Sequence, residues 1–160
     1  MSASPDFASV VLERTISAPI EEVWAAWTSG ERFASWYGPM GARIPVAELD
    51  LVVGGRRKVC MEMDTPNGAM QMWFVGEFVE IDEPGRLVYT EAMADEDGNV
   101  KSAADMGMPE DTVMTTVVVL DLAAVEGGTS LRLEHRGVPA DSPGAQGWTM
   151  ALDKLVDQLA

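Results

Sequence analysis

Between residues 10 and 17 the chain is rich in β-branched side chains and then meets Ala18-Pro19, the pattern of a strand with a firm stop. Past that stop the period changes. Ile20, Val23, Trp24 and Trp27 recur at i, i+3, i+4 and i+7, which is one buried stripe of a helix. Ser17 is the expected cap, Pro19 suits the first turn, and Glu21 and Glu22 stand where the helix dipole favours negative charge. A second short helix is expected around Glu31 to Trp36, closed by Gly38-Pro39. From Arg43 to Arg136 the pattern is that of strands, six of them, near residues 43–51, 55–64, 69–81, 86–92, 112–123 and 129–136. Three joins, Thr65-Pro66-Asn67-Gly68, Asp82-Glu83-Pro84-Gly85 and Glu126-Gly127-Gly128, are short and built of turn formers, so these neighbours run antiparallel. A last helix is predicted with Ser142 as cap and Pro143 at its first position. Its stripe is Trp148, Ala151, Leu152, Leu155, Val156 and Leu159, with Asp153, Lys154, Asp157 and Gln158 opposite. At about 1.5 Å per residue this helix spans roughly 27 Å, enough to cross a sheet. The order is that of an α+β chain whose long helix must bury its stripe on one face of an antiparallel sheet.

Strand parity says which side chains that helix meets, because successive residues point to opposite faces. If the Pro66-Asn67-Gly68 turn uses two or four loop residues, Met61, Met63, Met70 and Met72 share a face with Val59 and Phe74; three loop residues would split them. The shared face is expected, since it leaves Glu62 and Gln71 together on the wetter side. Counting across Asp82 to Gly85 adds Phe78, Leu87, Tyr89 and Glu91, and across Gly127-Gly128 it groups Met114, Thr116, Val118, Leu120, Leu131, Leu133 and His135. This face is apolar and rich in Met, with Thr116, Tyr89, Glu91 and His135 as its polar members. Met fills irregular space and adapts to different partners, so such a wall suits a variable apolar ligand. The expected cavity lining is Met61, Met63, Met72, Phe74, Phe78, Tyr89, Met114, Thr116, Val118, Leu133 and His135 from the sheet, with Trp148 and Leu152 from the helix. The plainer alternative is that these residues only pack the core.

Composition narrows the partners. The chain of 160 residues has 26 Asp plus Glu against 11 Lys plus Arg, a formal charge of -15. Phosphate backbones are held by Lys and Arg, so no nucleic acid is expected, and no anionic membrane surface either. No apolar run reaches the roughly 20 residues of a membrane span, and Met-Ser-Ala-Ser-Pro-Asp lacks the features of a signal peptide, so a cytoplasmic protein is expected. The lone Cys60 cannot form an internal disulfide, which fits a reducing compartment. With 47% apolar residues, no repeat and no linker-like stretch, residues 9–160 read as a single domain after a loose N-terminus at 1–8, existing as a monomer or homodimer.

Candidate chemistry centres on His135, the only histidine. Predicted inward near its strand end, it has the type of a general base or of a hydrogen-bonding group for a ligand's polar end. Tyr89 and Glu91 share its face, so His135, Tyr89 and Glu91 are the catalytic candidates; the alternative is a satisfied histidine at the cavity rim. One His and one Cys do not make a common zinc site, so no metal and no cofactor is expected. Asp95-Glu96-Asp97-Gly98-Asn99 resembles a calcium loop only briefly: its glycine is two places early and Met106 stands where the closing Glu belongs, so an Asp-Gly turn is expected. The stretch from Met93 to Asp111 is long for a hairpin connection and is a candidate lid over the cavity mouth. Cys60, on the opposite parity and near Trp73, is expected to be structural, and Arg56-Arg57-Lys58 to pair with surplus acids.

These residues resemble a known family. Arg14-Thr15-Ile16-Ser17-Ala18-Pro19 with Val23-Trp24, then Glu31-Arg32-Phe33 leading to Trp36-Tyr37-Gly38-Pro39, open the match. Gly76-Glu77-Phe78-Val79-Glu80-Ile81, Pro84-Gly85-Arg86-Leu87-Val88-Tyr89-Thr90 and Gly128-Thr129-Ser130-Leu131 continue it, and Gly147-Trp148 with Leu152, Leu155 and Leu159 closes it. The ordered set is similar to the SRPBCC or START-like superfamily, the helix-grip fold shared with birch-pollen allergens and polyketide cyclases, and within it to homologues of the activator of the heat-shock protein 90 ATPase. The resemblance implies a curved seven-stranded antiparallel sheet gripping the C-terminal helix, with a cavity between them. It implies an apolar or aromatic small molecule as partner, with a chaperone of the heat-shock protein 90 kind as the alternative and a cyclase, hydratase or lyase activity in the same cavity as a second. The family has no common catalytic set to carry over, and its chaperone activators bear a further N-terminal domain for which 160 residues leave no room.

Overall fold

The computed structural model describes residues 9–109, 114–138, 140 and 142–159; the expected loose N-terminus, 1–8, lies outside them. Strand β1 (Ser9–Ile16) leads into helices α1 (Ile20–Thr28) and α2 (Gly30–Ala34). Six strands follow: β2 (Arg43–Leu49), β3 (Arg56–Thr65), β4 (Gly68–Asp82), β5 (Arg86–Ala94), β6 (Thr115–Val125) and β7 (Gly128–Arg136); α3 (Pro143–Leu159) ends the described chain. All seven strands form one antiparallel sheet in the order β1-β7-β6-β5-β4-β3-β2. This is the helix-grip α+β architecture, with α3 gripped by the curved sheet and the two short helices inserted after the first strand.

Local chemistry sets the ends of the elements, in places differently from the pattern. Pro19, not Ser17, is the residue before α1; it is extended, makes no side-chain cap, and its carbonyl accepts from the amides of Glu22 and Val23. With ψ at 151° Pro19 is outside the helical region, so the helix begins at Ile20 and Ser17 stands two residues before the cap position. Helix α2 is capped by Ser29, whose hydroxyl accepts from the Arg32 amide at 3.3 Å. Strand β2 stops at Leu49, two residues short, where the chain turns and the Asp50 amide donates to the Arg56 carbonyl of β3. At the head of α3, Ser142 accepts from the Ala145 amide at 3.3 Å, the expected cap. Residues 112 and 113, expected in the sixth strand, lie outside the described residues.

The turn between β3 and β4 is Pro66-Asn67, with Thr65 opposite Gly68, so Met61 pairs with Met72 and Val59 with Phe74 on one face. Between β4 and β5 the register slips by one residue between Phe78 and Glu80. This bulge leaves Val79 exposed while Phe78 and Ile81 both turn inward, so the inner face stays apolar across the bend. The core lies between that face, α1, α2 and the C-terminal half of α3. Trp27, Phe33, Trp36, Leu120, Leu133, Leu152 and Leu155 are fully buried there.

Candidate functional site

Toward the N-terminal half of α3 the helix and sheet part, leaving a cavity of about 610 Å³. Its sheet wall is Met61 and Met63 of β3, Met72 and Phe74 of β4, Glu91 and Met93 of β5, Met114 just before β6 and Thr116 within it, and His135 of β7. The opposite wall is Gly144, Gly147, Trp148 and Met150 of α3, with Tyr37, Gly38 and Pro39 from the segment after α2. Thus Met61, Met63, Met72, Phe74, Met114, Thr116, His135 and Trp148, named from the sequence, come together around one space. Phe78, Tyr89, Val118, Leu133 and Leu152 do not line it; each is almost wholly buried in the core beside it. Parity gives the face of a residue but not its height along the strand. Where α3 presents Leu152 and Leu155 the layers touch, and where it presents Gly144 and Gly147 they stand apart.

His135 is held at both ring nitrogens. The Trp148 indole Nε1 lies 2.8 Å from Nδ1, and an indole can only donate, so Nδ1 is an acceptor without a proton. The proton is then on Nε2, which donates to Thr116 Oγ1 at 2.7 Å, and that hydroxyl passes its own hydrogen to the Glu91 carbonyl at 3.1 Å. Burial, above all, holds the His135 pKa below its ordinary value; Arg57 adds to this and the Glu91 charge opposes it. His135 is thus the satisfied histidine at the rim, and the only proton it holds is already committed to Thr116.

Beneath it lies a buried ion pair that residue runs alone conceal. Arg57 is 2% exposed and Glu91 7%, with Nη1 3.5 Å from Oε2, while Glu91 Oε1 stands 3.9 Å from His135 Nε2. The guanidinium lies 3.8 Å above the Tyr89 ring and 4.9 Å from that of Phe33, and its Nη2 has no hydrogen-bond partner among the described residues. Of the basic run expected to pair with acids, Arg57 does so with Glu91, inside the fold. It shares the parity of Val59 and Met61, and extending the count two residues back would have placed it inside. The Tyr89 hydroxyl is buried without a partner among the described residues and its pKa is raised, chiefly by burial. Tyr37, stacked on Phe33 and set edge-on to Trp148, has a raised pKa for the same first reason, with the Glu91 charge next. The candidates His135, Tyr89 and Glu91 thus fall apart: Tyr89 is in the core, His135 is saturated, and Glu91 alone keeps acceptor capacity toward the cavity.

The candidate lid, from Met93 to Asp111, is described as far as residue 109. Met93 belongs to β5 and faces the cavity, but the chain then turns at Asp95–Asn99, where Asp95 Oδ1 accepts from the amides of Asp97 and Asn99. This is the Asp-Gly turn, with Gly98 at φ 88°. It folds onto the outer face of the sheet, where Arg56 Nη2 donates to the Gly98 carbonyl at 3.3 Å. Cys60, on that outer parity opposite Trp73, is buried and free; burial first, then the charges of Glu62 and Glu96, raise its thiol pKa, which makes it inert. Residues 110 and 111 lie outside the described residues. The hairpin return joins the Lys101 amide to the Met93 carbonyl, and residues 95–109 are not among those lining the cavity.

A family model described as activator of Hsp90 ATPase homolog 1-like protein matches residues 17–160. The chain belongs to this family. Among solved structures, a protein of Chromobacterium violaceum is similar at 25% identity and TM-score 0.73, over 97% of this chain and 98% of that one. One of Mycobacterium smegmatis is similar at 21% and 0.76, over 95% and 90%. The AHSA1 protein from Silicibacter pomeroyi is similar at 22% and 0.71, over 95% and 97%. No curated protein matches. In this member of the activator of Hsp90 ATPase homolog 1-like family, no helix among the described residues is long and apolar enough to cross a membrane, and no group of three or more His, Cys, Asp or Glu is placed to hold a metal.

Proposed function

We propose that this family member, as a single domain over residues 9–160, binds a small apolar or aromatic molecule between α3 and the Met-rich wall of the sheet. The observation that carries this reading is the 610 Å³ space faced by Met61, Met63, Met72 and Met93 and opened by two glycines inside a helix. That volume is within the roughly 300–1,000 Å³ range of small-molecule sites. A space of this size is costly to leave in a core, and flexible thioethers on its wall adapt to an occupant. A cyclase, hydratase or lyase activity is less well supported, because His135 has both ring nitrogens engaged and Tyr89 faces the core. A chaperone role has two supports, the family's description and the charge of -15, which suits a basic docking face. The single free cysteine accords with residence in the cytoplasm.

Native mass spectrometry of gently purified protein, followed by solvent extraction of any excess mass, tests the proposal. A co-purifying apolar molecule in near-equal amount supports it. Empty protein that also fails to take up the neutral apolar dye N-phenyl-1-naphthylamine would sink it and send attention to the chaperone ATPase.

A further inference from the structure

The polar groups facing the cavity are unequal in what they still offer. His135 and Thr116 have spent their donors, one on the other and the other on the Glu91 carbonyl. The Glu91 side chain has not been used in this way. No donor among the described residues makes a hydrogen bond to either of its oxygens; the nearest nitrogens are Arg57 Nη1 at 3.5 Å and His135 Nε2 at 3.9 Å. It is 7% exposed and lines the cavity, so what reaches it must come through that space. A carboxylate only accepts, and a buried one without donors is costly unless water or a ligand supplies them.

We infer that the ligand, granted the binding reading above, is a neutral apolar molecule bearing one hydroxyl, a phenol or an alcohol, whose hydrogen is donated to Glu91. The charge balance decides between donors. Arg57 already provides the countercharge of Glu91, so an ammonium would leave an unbalanced cation in an apolar site. A carboxylate ligand fares worse, since it brings like charge to Glu91 and no Lys or Arg is among the described residues lining the cavity. Arg57 itself is sealed behind the wall by Tyr89 and Phe33. A hydroxyl also has lone pairs, and the Tyr37 hydroxyl on the same wall makes no hydrogen bond to a described residue and is free to donate to them.

The test is displacement of N-phenyl-1-naphthylamine by three ligands on one skeleton: 2-naphthol, 2-methoxynaphthalene and 2-naphthoate. Charge-assisted hydrogen bonds set the expectation: 2-naphthol binds about 10-fold more tightly than the methyl ether, and naphthoate is the weakest of the three. Glu91→Gln keeps an acceptor but loses the charge, so it narrows the naphthol preference and relieves the rejection of naphthoate. Because that change strips Arg57 of its partner, the wild-type series decides the matter should the variant not fold. Equal affinity for 2-naphthol and its methyl ether, with the dye still bound, overturns the hydroxyl assignment and leaves the binding proposal standing. Tightest binding of 2-naphthoate overturns it in the same way, and failure of the dye and all three ligands to bind overturns both.

Discussion

A histidine ring that accepts from an indole at one nitrogen and donates to a hydroxyl at the other has no place for a second proton. Protonating His135 would set two N–H groups head to head across the 2.8 Å contact with Trp148. Burial, first of all, makes its pKa lower in the folded protein than the value of about 6.5 it has when unfolded. The unfolded chain therefore takes up this proton first, and the sign follows: stability is complete above pH about 6.5 and is lost as pH falls from there toward the folded pKa. Urea unfolding between about pH 7.5 and 5 should show this decline, and His135→Gln should flatten it; an identical slope in the variant would assign the decline to carboxylates instead. Trp148 itself separates packing from hydrogen bonding. Trp148→Ala should cost roughly 3–5 kcal/mol as a large core truncation. Trp148→Phe keeps most of the contact with Trp27 and Tyr37 and strands Nδ1, so it should cost about 1–3 kcal/mol. At this scale the sequence was legible in part. Thr116, His135 and Trp148 were readable because parity and helix stripe both point them inward. Their hydrogen-bond directions were not, since a 2.7 Å approach depends on how three elements curve. Arg57 was hidden by its charged neighbours, which made an inward guanidinium look like part of a solvated run.

Helix α3 carries two glycines where a helix prefers other residues, and the packing there explains them better than the backbone does. A Cβ on Gly147 would meet only Pro39 Cδ, at 4.0 Å, so the glycine is not required by close approach. Removing it in favour of alanine should add about 1 kcal/mol of stability from helix propensity. Gly147→Leu extends the same position into the cavity. It should keep the melting temperature at or above that of the wild type while weakening N-phenyl-1-naphthylamine binding at least about 10-fold, the loss expected where a filled cavity excludes its ligand. A dye affinity unchanged by leucine would place the binding site elsewhere. Elements were the most legible level, because strand alternation and the four-point stripe of α1 repeat over many residues and average out local exceptions. The exceptions were single-residue events. The bulge after Phe78 shifted the parity by one and the extended Pro19 moved the cap by two, and the outward fold of 95–99 depends on a long-range bond from Arg56 that no local pattern announces.

For the molecule as a whole, the charge of -15 acts against compactness, since most of the acids remain after the arginine ion pairs among the described residues are formed. The pairs that exist are mostly exposed, as with Arg43 between Glu62 and Asp64 or Arg86 between Glu80 and Asp121, and exposed pairs stabilise little. Repulsion among the unpaired acids should therefore dominate the salt response. Raising sodium chloride from about 0.02 to 0.3 M shortens the Debye length from roughly 20 Å to below 10 Å. The melting temperature should rise, by roughly 2–4 °C for each kcal/mol of repulsion removed in a chain of this size. A melting temperature that fell with salt would mean that the ion pairs outweigh the surplus. The same titration separates the two readings of function. Entry of a neutral molecule into a Met-lined cavity involves no net charge, so dye affinity should hold across this range or tighten slightly as apolar burial is favoured. Docking of the acidic surface on a basic chaperone face would weaken steeply over the same interval, because screening removes the attraction that steers it. Salt-resistant dye binding together with salt-sensitive capture of a heat-shock protein 90 ATPase would show two independent surfaces on one small fold, the cavity under α3 and the acidic exterior.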